Sequence, residues 1–357
     1  MQICTITCHD VYNAGASLQA YALQTYLKSL GHDVKIIDYK PDYLSRHYRL
    51  DIVGNPKYDK PILRQAYLLA KLPGRLRMLP RKRAFDSFTA KYLDLTRRYA
   101  SNAELKADPP EADIYFAGSD QIWNTVFPNG KDPAFYLDFA PEGSVKASYA
   151  ASFATEDVLD DWKPQMKDWL HALDYISVRE SSGVRIAQDL GIIGAVHVLD
   201  PVFLLDASTW RNMASERPSY PYLLVYDFDG NEQIEQEAKH LAAQHTLKIV
   251  TLQKLPYADR CISDAGPRDF LSLVDGASFV LSNSFHATAF SLIFQRPFMV
   301  YDRCENINTR MRDLMVAVGL SHRSSADAPI DWTAVQMHLD KEITASKAYI
   351  DSVLQGR

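Results

Sequence analysis

The residues best placed to do chemistry lie between Leu271 and Tyr301. The sequence there reads helix, strand, turn, helix, strand, with a histidine where turn becomes helix. Phe279-Val280-Leu281 forms a short apolar strand, Ser282-Asn283-Ser284 supplies turn chemistry, and His286 to Leu292 opens a helix of small residues. A parallel strand that ends in a polar turn delivers its last side chains to the carboxyl edge of the sheet, where open α/β sheets bind ligands. The helix that follows offers free N–H groups and a positive dipole end, which suit phosphate or carboxylate. His286 in that place can be cationic, donate a hydrogen bond or transfer a proton near neutral pH. The competing reading is a histidine that caps or packs. Ser284 beside it, the small residues behind it and the strand-end position favour function.

The elements that must position this segment repeat one rhythm. Gln2–Cys8 is a strand, His9–Gly15 a loop, Ser17–Leu30 a helix with an apolar face, and Val34–Asp38 the next strand, so a βαβ unit opens the chain. Asp38 stands where a nucleotide-binding unit places its ribose carboxylate, but the loop Asn13–Ser17 lacks the G-x-G-x-x-G pattern, which argues against NAD. Further strands are expected at Asp113–Ala117, Ala147–Phe153, Tyr175–Val178 and Val196–Leu199. A second alternation starts at Tyr222–Tyr226 and runs through helix Glu232–His245, strand Lys248–Leu252 and strand Pro297–Tyr301. The expectation is an α/β protein of two Rossmann-like domains facing a cleft, residues 1–170 and 171–330. A last helix from about Asp331 to Leu354 could fold back across the first domain.

Residues 40–108 read as a mostly helical insertion in the first domain. From Arg64 to Arg83 it concentrates positive charge among leucines. Such a face either meets anionic lipid headgroups or is a solvated helix whose aliphatic residues pack inward.

The 357 residues suit two domains, and 47% apolar with 23% charged residues is the composition of a globular protein. No apolar run reaches membrane-spanning length, and Met1 leads directly into a strand, which points to a cytoplasmic chain with at most peripheral contact at the membrane's inner face. A net charge of −5 argues against nucleic acid as a partner. Cys4, Cys8, Cys261 and Cys304 are too scattered for a disulfide framework, and no metal site is expected.

An ordered set of motifs resembles the polysaccharide pyruvyl transferase family. It comprises Asn13-x-Gly15 with Gln19, Gly118-Ser119-Asp120-Gln121-Ile122-Trp123-Asn124, Ser148–Phe153, Ser177-Val178-Arg179-Glu180 and Leu199-Asp200-Pro201. It continues through Ser284-Phe285-His286 with Pro297 to Asn308-Thr309-Arg310, and spans most of residues 1 to 320. The resemblance implies a GT-B-like fold and transfer of a pyruvyl group from phosphoenolpyruvate to a sugar of a cell-surface polysaccharide or its lipid-linked precursor, giving a pyruvate ketal. Phosphoenolpyruvate is then a co-substrate and no cofactor is needed.

The resemblance also implies roles. Arg179, Ser284, Phe285, His286, Asn308 and Arg310 would form the donor site, with His286, Arg179 and Glu180 as catalytic residues. Asn13, Gly15, Gln19, Ser119, Asp120, Gln121 and Trp123 would face the acceptor. Ser284 departs from the Arg-Leu-His form of the motif, so another arginine, Arg310, Arg303 or Arg296, must supply the missing cation, or the donor differs. Arg179 could instead form a strand-end salt bridge with an acid, Trp123 could anchor the core, and Asp120 could cap a helix. Two functions compete: glycosyl transfer from a nucleotide sugar, and glycan binding without catalysis. The oligomeric state is not legible.

Overall fold

The computed structural model describes residues 1–44, 52–53, 56–305, 307–323 and 325–356. The parts of the expected insertion at 45–51 and 54–55 lie outside them. The first domain begins with β1 (Gln2–Ile6), α1 (Ala14–Ser29) and β2 (Asp33–Tyr39). It continues with the long α2 (Pro61–Tyr92), β3 (Leu95–Tyr99), α3 (Asn102–Ala107), β4 (Ile114–Ala117) and β5 (Val145–Ser148). These strands form an all-parallel sheet in the order β3-β2-β1-β4-β5. The segment between β2 and β4 thus holds more than a helical insertion, because β3 is the sheet's edge strand. Its sequence, Leu95-Thr96-Arg97-Arg98-Tyr99, is polar enough to hide a strand from a reading by hydrophobic pattern.

After α4 (Lys163–His171), β6 (Ser177–Val178), α5 (Ser181–Asp189) and β7 (Val196–His197) extend the same layer. Parallel bridges join Ala147 to Tyr175 and Ala151 to Val178, and Ser148 N–H bonds the Tyr175 carbonyl. This corrects the expected boundary at 170/171. Residues 175–198 belong with the first sheet, because a two-stranded parallel pair cannot bury itself and completes its hydrogen bonds on β5. The strand expected over Ala147–Phe153 stops at Ser148, and the chain then kinks through Ala150 and Ala154, both at positive φ.

A short helix α6 (Ala207–Met213) leads to the second domain. There β8 (Tyr222–Tyr226), α7 (Glu232–His245), β9 (Lys248–Thr251), β10 (Arg260–Cys261), α8 (Pro267–Gly276), β11 (Phe279–Ser282), α9 (Phe285–Ile293) and β12 (Phe298–Val300) build a parallel sheet in the order β10-β9-β8-β11-β12. Both sheets reverse their winding beside the first strand, at β1/β4 and at β8/β11. Those are the positions where such folds open a crevice. β4 and β8 are buried along their whole length, which explains their unbroken apolar sequences.

Helix α10 (Thr309–Ala317) follows, and α11 (Trp332–Gln355) returns to the first domain. Ile350 and Val353 pack with Leu23, Leu27, Ile114 and Tyr149, and the Tyr349 hydroxyl donates to the Ser148 carbonyl. One apolar cluster runs through both domains, joining Leu18 and Phe85 to Trp210, Phe270 and Phe290. The cleft is therefore closed at its base by a shared core.

Candidate active site

Each side of the cleft delivers helix N-termini to its floor. Asn13 caps α1, its Oδ1 accepting the N–H groups of Gly15 at 2.9 Å and Ala16 at 3.4 Å. Ser284 caps α9 through the Ala287 N–H at 3.4 Å. The two caps meet. A Cβ on Gly15 would lie 2.0 Å from His286 Nδ1, so only glycine lets α1 approach this ring.

Asn13, Asp120, Gln121, Phe228, Asn283, Ser284, Phe285, His286, Arg303, Ile307, Arg310 and Met311 line a polar pocket of about 110 Å³. It opens at the switch points of both sheets.

Beneath the pocket lies a buried charge network. Asp200, fully buried, receives Arg179 Nη1 at 2.5 Å and Ser119 Oγ at 3.2 Å, and His286 Nε2 stands 3.5 Å from the same oxygen, Oδ2. Asp120 Oδ1 faces Arg179 at 3.3 Å and Arg310 at 3.8 Å. Asp120 holds φ at 75°, a conformation costly for any residue but glycine and tolerated here by the surrounding contacts. The Phe285 ring supports both guanidiniums, 4.7 Å from Arg179 and 5.7 Å from Arg310.

Burial alone would raise the Asp200 pKa, but His286 and Arg179 hold it well below the usual carboxylate range. Asp120 is likewise lowered, by Arg179, His286 and Arg310 against the effect of burial. Arg310 fares the opposite way. Burial and the neighbouring Arg179 bring its pKa down to about 10. The site therefore carries a second buried cation that its own carboxylates leave under-compensated.

The hydrogen bonds give the same result. Arg179 Nε, Arg303 Nε, Arg310 Nε and His286 Nε2 are buried without a hydrogen-bond partner among the described residues. Native proteins rarely leave buried donors unmatched, and donors gathered in one pocket indicate an anion acceptor. Replacing Arg310 by methionine should leave the unliganded protein as stable as before, or up to about 2 kcal/mol more stable, because a costly buried charge is removed. The same change should abolish the rise in melting temperature that an anion such as phosphate or phosphoenolpyruvate gives the parent protein. Thermal denaturation with and without the anion checks both halves.

The expected site residues divide. Ser284, Phe285, His286 and Arg310 from the donor set line the pocket, as do Asn13, Asp120 and Gln121 from the acceptor set. Arg179 lies beneath it with its side chain 1% exposed, and it comes from the first sheet's extension rather than from the second domain. Its role in this arrangement is to hold Asp120 and Asp200. Glu180 is fully buried outside the pocket lining, its Oε1 accepting the Phe153 and Ala154 N–H groups at 2.7 and 3.0 Å and its Oε2 without a hydrogen-bond partner among the described residues. Asn308 binds both the N–H and the carbonyl of Arg303, shaping the loop that carries that arginine.

Three acceptor residues are corrected. Trp123 is fully buried, stacks on Tyr136 at 5.5 Å and donates to the Phe135 carbonyl. Gln19 is fully buried against Thr7 and the Ala16 carbonyl, and Ser119 faces Asp200. Hydrogen bonds inside the domain thus hold Trp123 Nε1, Gln19 Nε2 and Ser119 Oγ away from the pocket.

Of the arginines considered for the cation missing at Ser284, Arg303 and Arg310 reach the pocket, whereas Arg296 is committed to Asp275 at 3.1 Å. Sequence reasoning gave Asp200 no role beyond its place in the motif Leu199-Asp200-Pro201. An acid directly before a proline at an expected strand end was the available signal. Phe228 was missed, and Asn283 was read only as turn chemistry beside His286, although both line the pocket.

Solved structures share this architecture. A protein described as a UDP-N-acetylglucosamine 2-epimerase from Listeria monocytogenes superposes with a TM-score of 0.55 at 10% identity, covering 99% of this chain and 97% of its own. S. aureus MnaA, solved with UDP, gives 0.50 at 13% identity, covering 98% and 89%. These likenesses establish the GT-B-like fold. No curated protein matches the sequence. The sequence profile of the polysaccharide pyruvyl transferase family matches residues 13–305, the span that holds all but Arg310 and two neighbours of the pocket just described, and this chain belongs to that family.

Proposed function

We propose that this enzyme transfers the pyruvyl group of phosphoenolpyruvate to two hydroxyls of a sugar, forming a cyclic ketal on a polysaccharide or its lipid-linked precursor. The observation that carries the reading is the set of buried nitrogens without a hydrogen bond, Nε of Arg303 and Arg310 and Nε2 of His286, on residues lining one small pocket, with Arg179 Nε beneath it. A donor with both a phosphate and a carboxylate matches two guanidiniums and an imidazole better than a singly charged ligand does. The pocket is also smaller than the roughly 300–1,000 Å³ usual for larger ligands, which favours a three-carbon donor over a nucleotide sugar.

The chemistry follows from the donor. One sugar hydroxyl adds to the enol carbon while the methylene carbon takes a proton. Phosphate then leaves that same carbon, and the second hydroxyl closes the ring. Positive charge develops at the ketal carbon and negative charge on the departing phosphate. Arg310, Arg303 and protonated His286 would stabilise the phosphate, and His286 can protonate it as it leaves. Asp120, held ionised by Arg179, sits on the pocket wall where it could accept a hydroxyl proton or support the developing cation. Asn13 and Gln121 on the first-domain side are the planar polar groups open to a sugar.

Release of phosphate from phosphoenolpyruvate and of the nucleotide from nucleotide sugars, each with a panel of glycan acceptors, tests the proposal. Acceptor-dependent release from phosphoenolpyruvate is expected. Turnover of a nucleotide sugar with phosphoenolpyruvate inert would overturn it in favour of glycosyl transfer.

A further inference from the structure

Helix α2 does not pack along most of its length. Ile62 is 83% exposed and Leu69 69%, and Leu63, Leu72, Leu76 and Met78 are exposed as well. The aliphatic residues of this segment therefore do not turn inward, as one of the two sequence readings required. Ile62, Leu69, Leu72 and Leu76 fall within an arc of roughly 80° at 3.6 residues per turn. Arg64, Lys71, Arg75 and Lys82 share a second arc of roughly 40° beside it, where Arg64 pairs with Asp59, Arg75 with the Ile52 carbonyl and Lys82 with Asp86. Between Pro61 and Ala84 the sequence holds seven basic residues and no acidic one, in a chain of net charge −5.

The root of the helix is fixed to both domains, while on the outer part Tyr67 stacks on Tyr58 at 5.4 Å and Arg75 donates to the Ile52 carbonyl. Phe85 and Phe88 enter the shared core, and Arg81 donates to the carbonyls of Ala265 at 2.9 Å and Tyr12 at 3.0 Å. That clamp holds both domains and the residue before Asn13 of the pocket. The outer part, residues 61–80, spans roughly 30 Å of helix. Pro73 and Pro80 interrupt it and remove two N–H donors that would otherwise bond the carbonyls of Leu69 and Leu76.

We infer that residues 61–83 dock this protein on an anionic lipid bilayer, the leucine arc entering the interface and the basic residues meeting headgroup phosphates. An apolar stripe flanked by Lys and Arg is the composition that binds such surfaces. A second copy of the chain is a poorer occupant, since pairing this helix with itself opposes cation to cation. No helix among the described residues is long and apolar enough to cross a membrane, so the contact is peripheral. The inference goes beyond the transfer reaction and does not depend on it.

Co-sedimentation of the full chain with phosphatidylcholine vesicles, with and without phosphatidylglycerol, tests it at low and high salt. Binding is expected only to the phosphatidylglycerol vesicles and should fade as salt rises. Replacing Lys71, Arg77 and Arg83 with glutamine should lower partitioning roughly five-fold for each of them that reaches the headgroups. Leu69→Gln, Leu72→Gln and Leu76→Gln together should lower it at least about ten-fold, because the apolar area leaves the interface. Circular dichroism and anion-induced thermal stabilisation should stay unchanged in both variants. No binding to the anionic vesicles at low salt, or equal binding by either variant, overturns the inference. So does a parent dimer that the leucine changes convert to monomer.

Discussion

Asp200→Ala is expected to lower the folding stability by about 3–5 kcal/mol, the usual cost of removing one partner from a buried ion pair. Arg179 would keep a single carboxylate partner, Asp120 at 3.3 Å, and Ser119 Oγ would lose its acceptor. His286 would lose the one carboxylate beside its Nε2. Activity should fall with it, because the imidazole would no longer be held toward the pocket. Chemical denaturation measures the first effect and steady-state kinetics the second. Pairing the change with Arg179→Met should restore part of the stability, since the stranded cation is gone, but none of the activity. A loss below about 1 kcal/mol for Asp200→Ala, or no recovery in the double variant, would show that Asp200 does not organise the site.

The same carboxylate gives a pH signature with a definite sign. Its folded pKa is depressed, so its contribution to stability is fully present above the unfolded value of about 3.9 and is lost as pH falls below it. Asp120 adds in the same direction. Part of the acid destabilisation of the parent protein, between about pH 4 and lower, should disappear in Asp200→Asn. An acid-denaturation profile of the same shape in both would separate Asp200 from that transition.

What the sequence could reveal followed from how each feature is encoded. The β/α alternation of the second domain and the Ser284–His286 turn were legible, because a short apolar strand, a capping serine and a small-residue helix are local signals. β3 was not, since an edge strand needs few apolar residues. The pairing of β6 with the first sheet was not legible either, because it depends on hydrogen bonds to Ala147 and Ala151 from residues some 30 positions away. The site showed the same division. His286 and Arg310 could be found by type and position, whereas Gln19, Ser119 and Trp123 have site-like chemistry but serve the interior. Burial decides that question, and burial is a property of the packed domain. Gly15 is the opposite case: the motif assigned it to the acceptor side, whereas its importance comes from the ring placed against it by the other domain.

That contact supports the last prediction, which concerns the catalytic geometry. His286→Ala should reduce kcat/KM by about a hundred- to a thousand-fold, the usual loss when one preorganised charge-stabilising group is removed. Gly15→Ala should approach the same loss without touching any group that does chemistry. Its methyl would occupy the place of the imidazole, 2.0 Å from Nδ1 and 2.1 Å from Cγ, so either the ring swings away from Asp200 or α1 withdraws from α9. A displacement of about 1 Å at a reacting centre can itself cost a hundred-fold. The two changes should not add. With the ring already removed in His286→Ala, the added methyl has room, and the further change in kcat/KM should stay within about two-fold. A double variant whose losses multiply would mean that Gly15 acts elsewhere, through the Asn13 cap. Near-parent activity in Gly15→Ala alone would mean that the close approach of the two helix ends is not required for turnover.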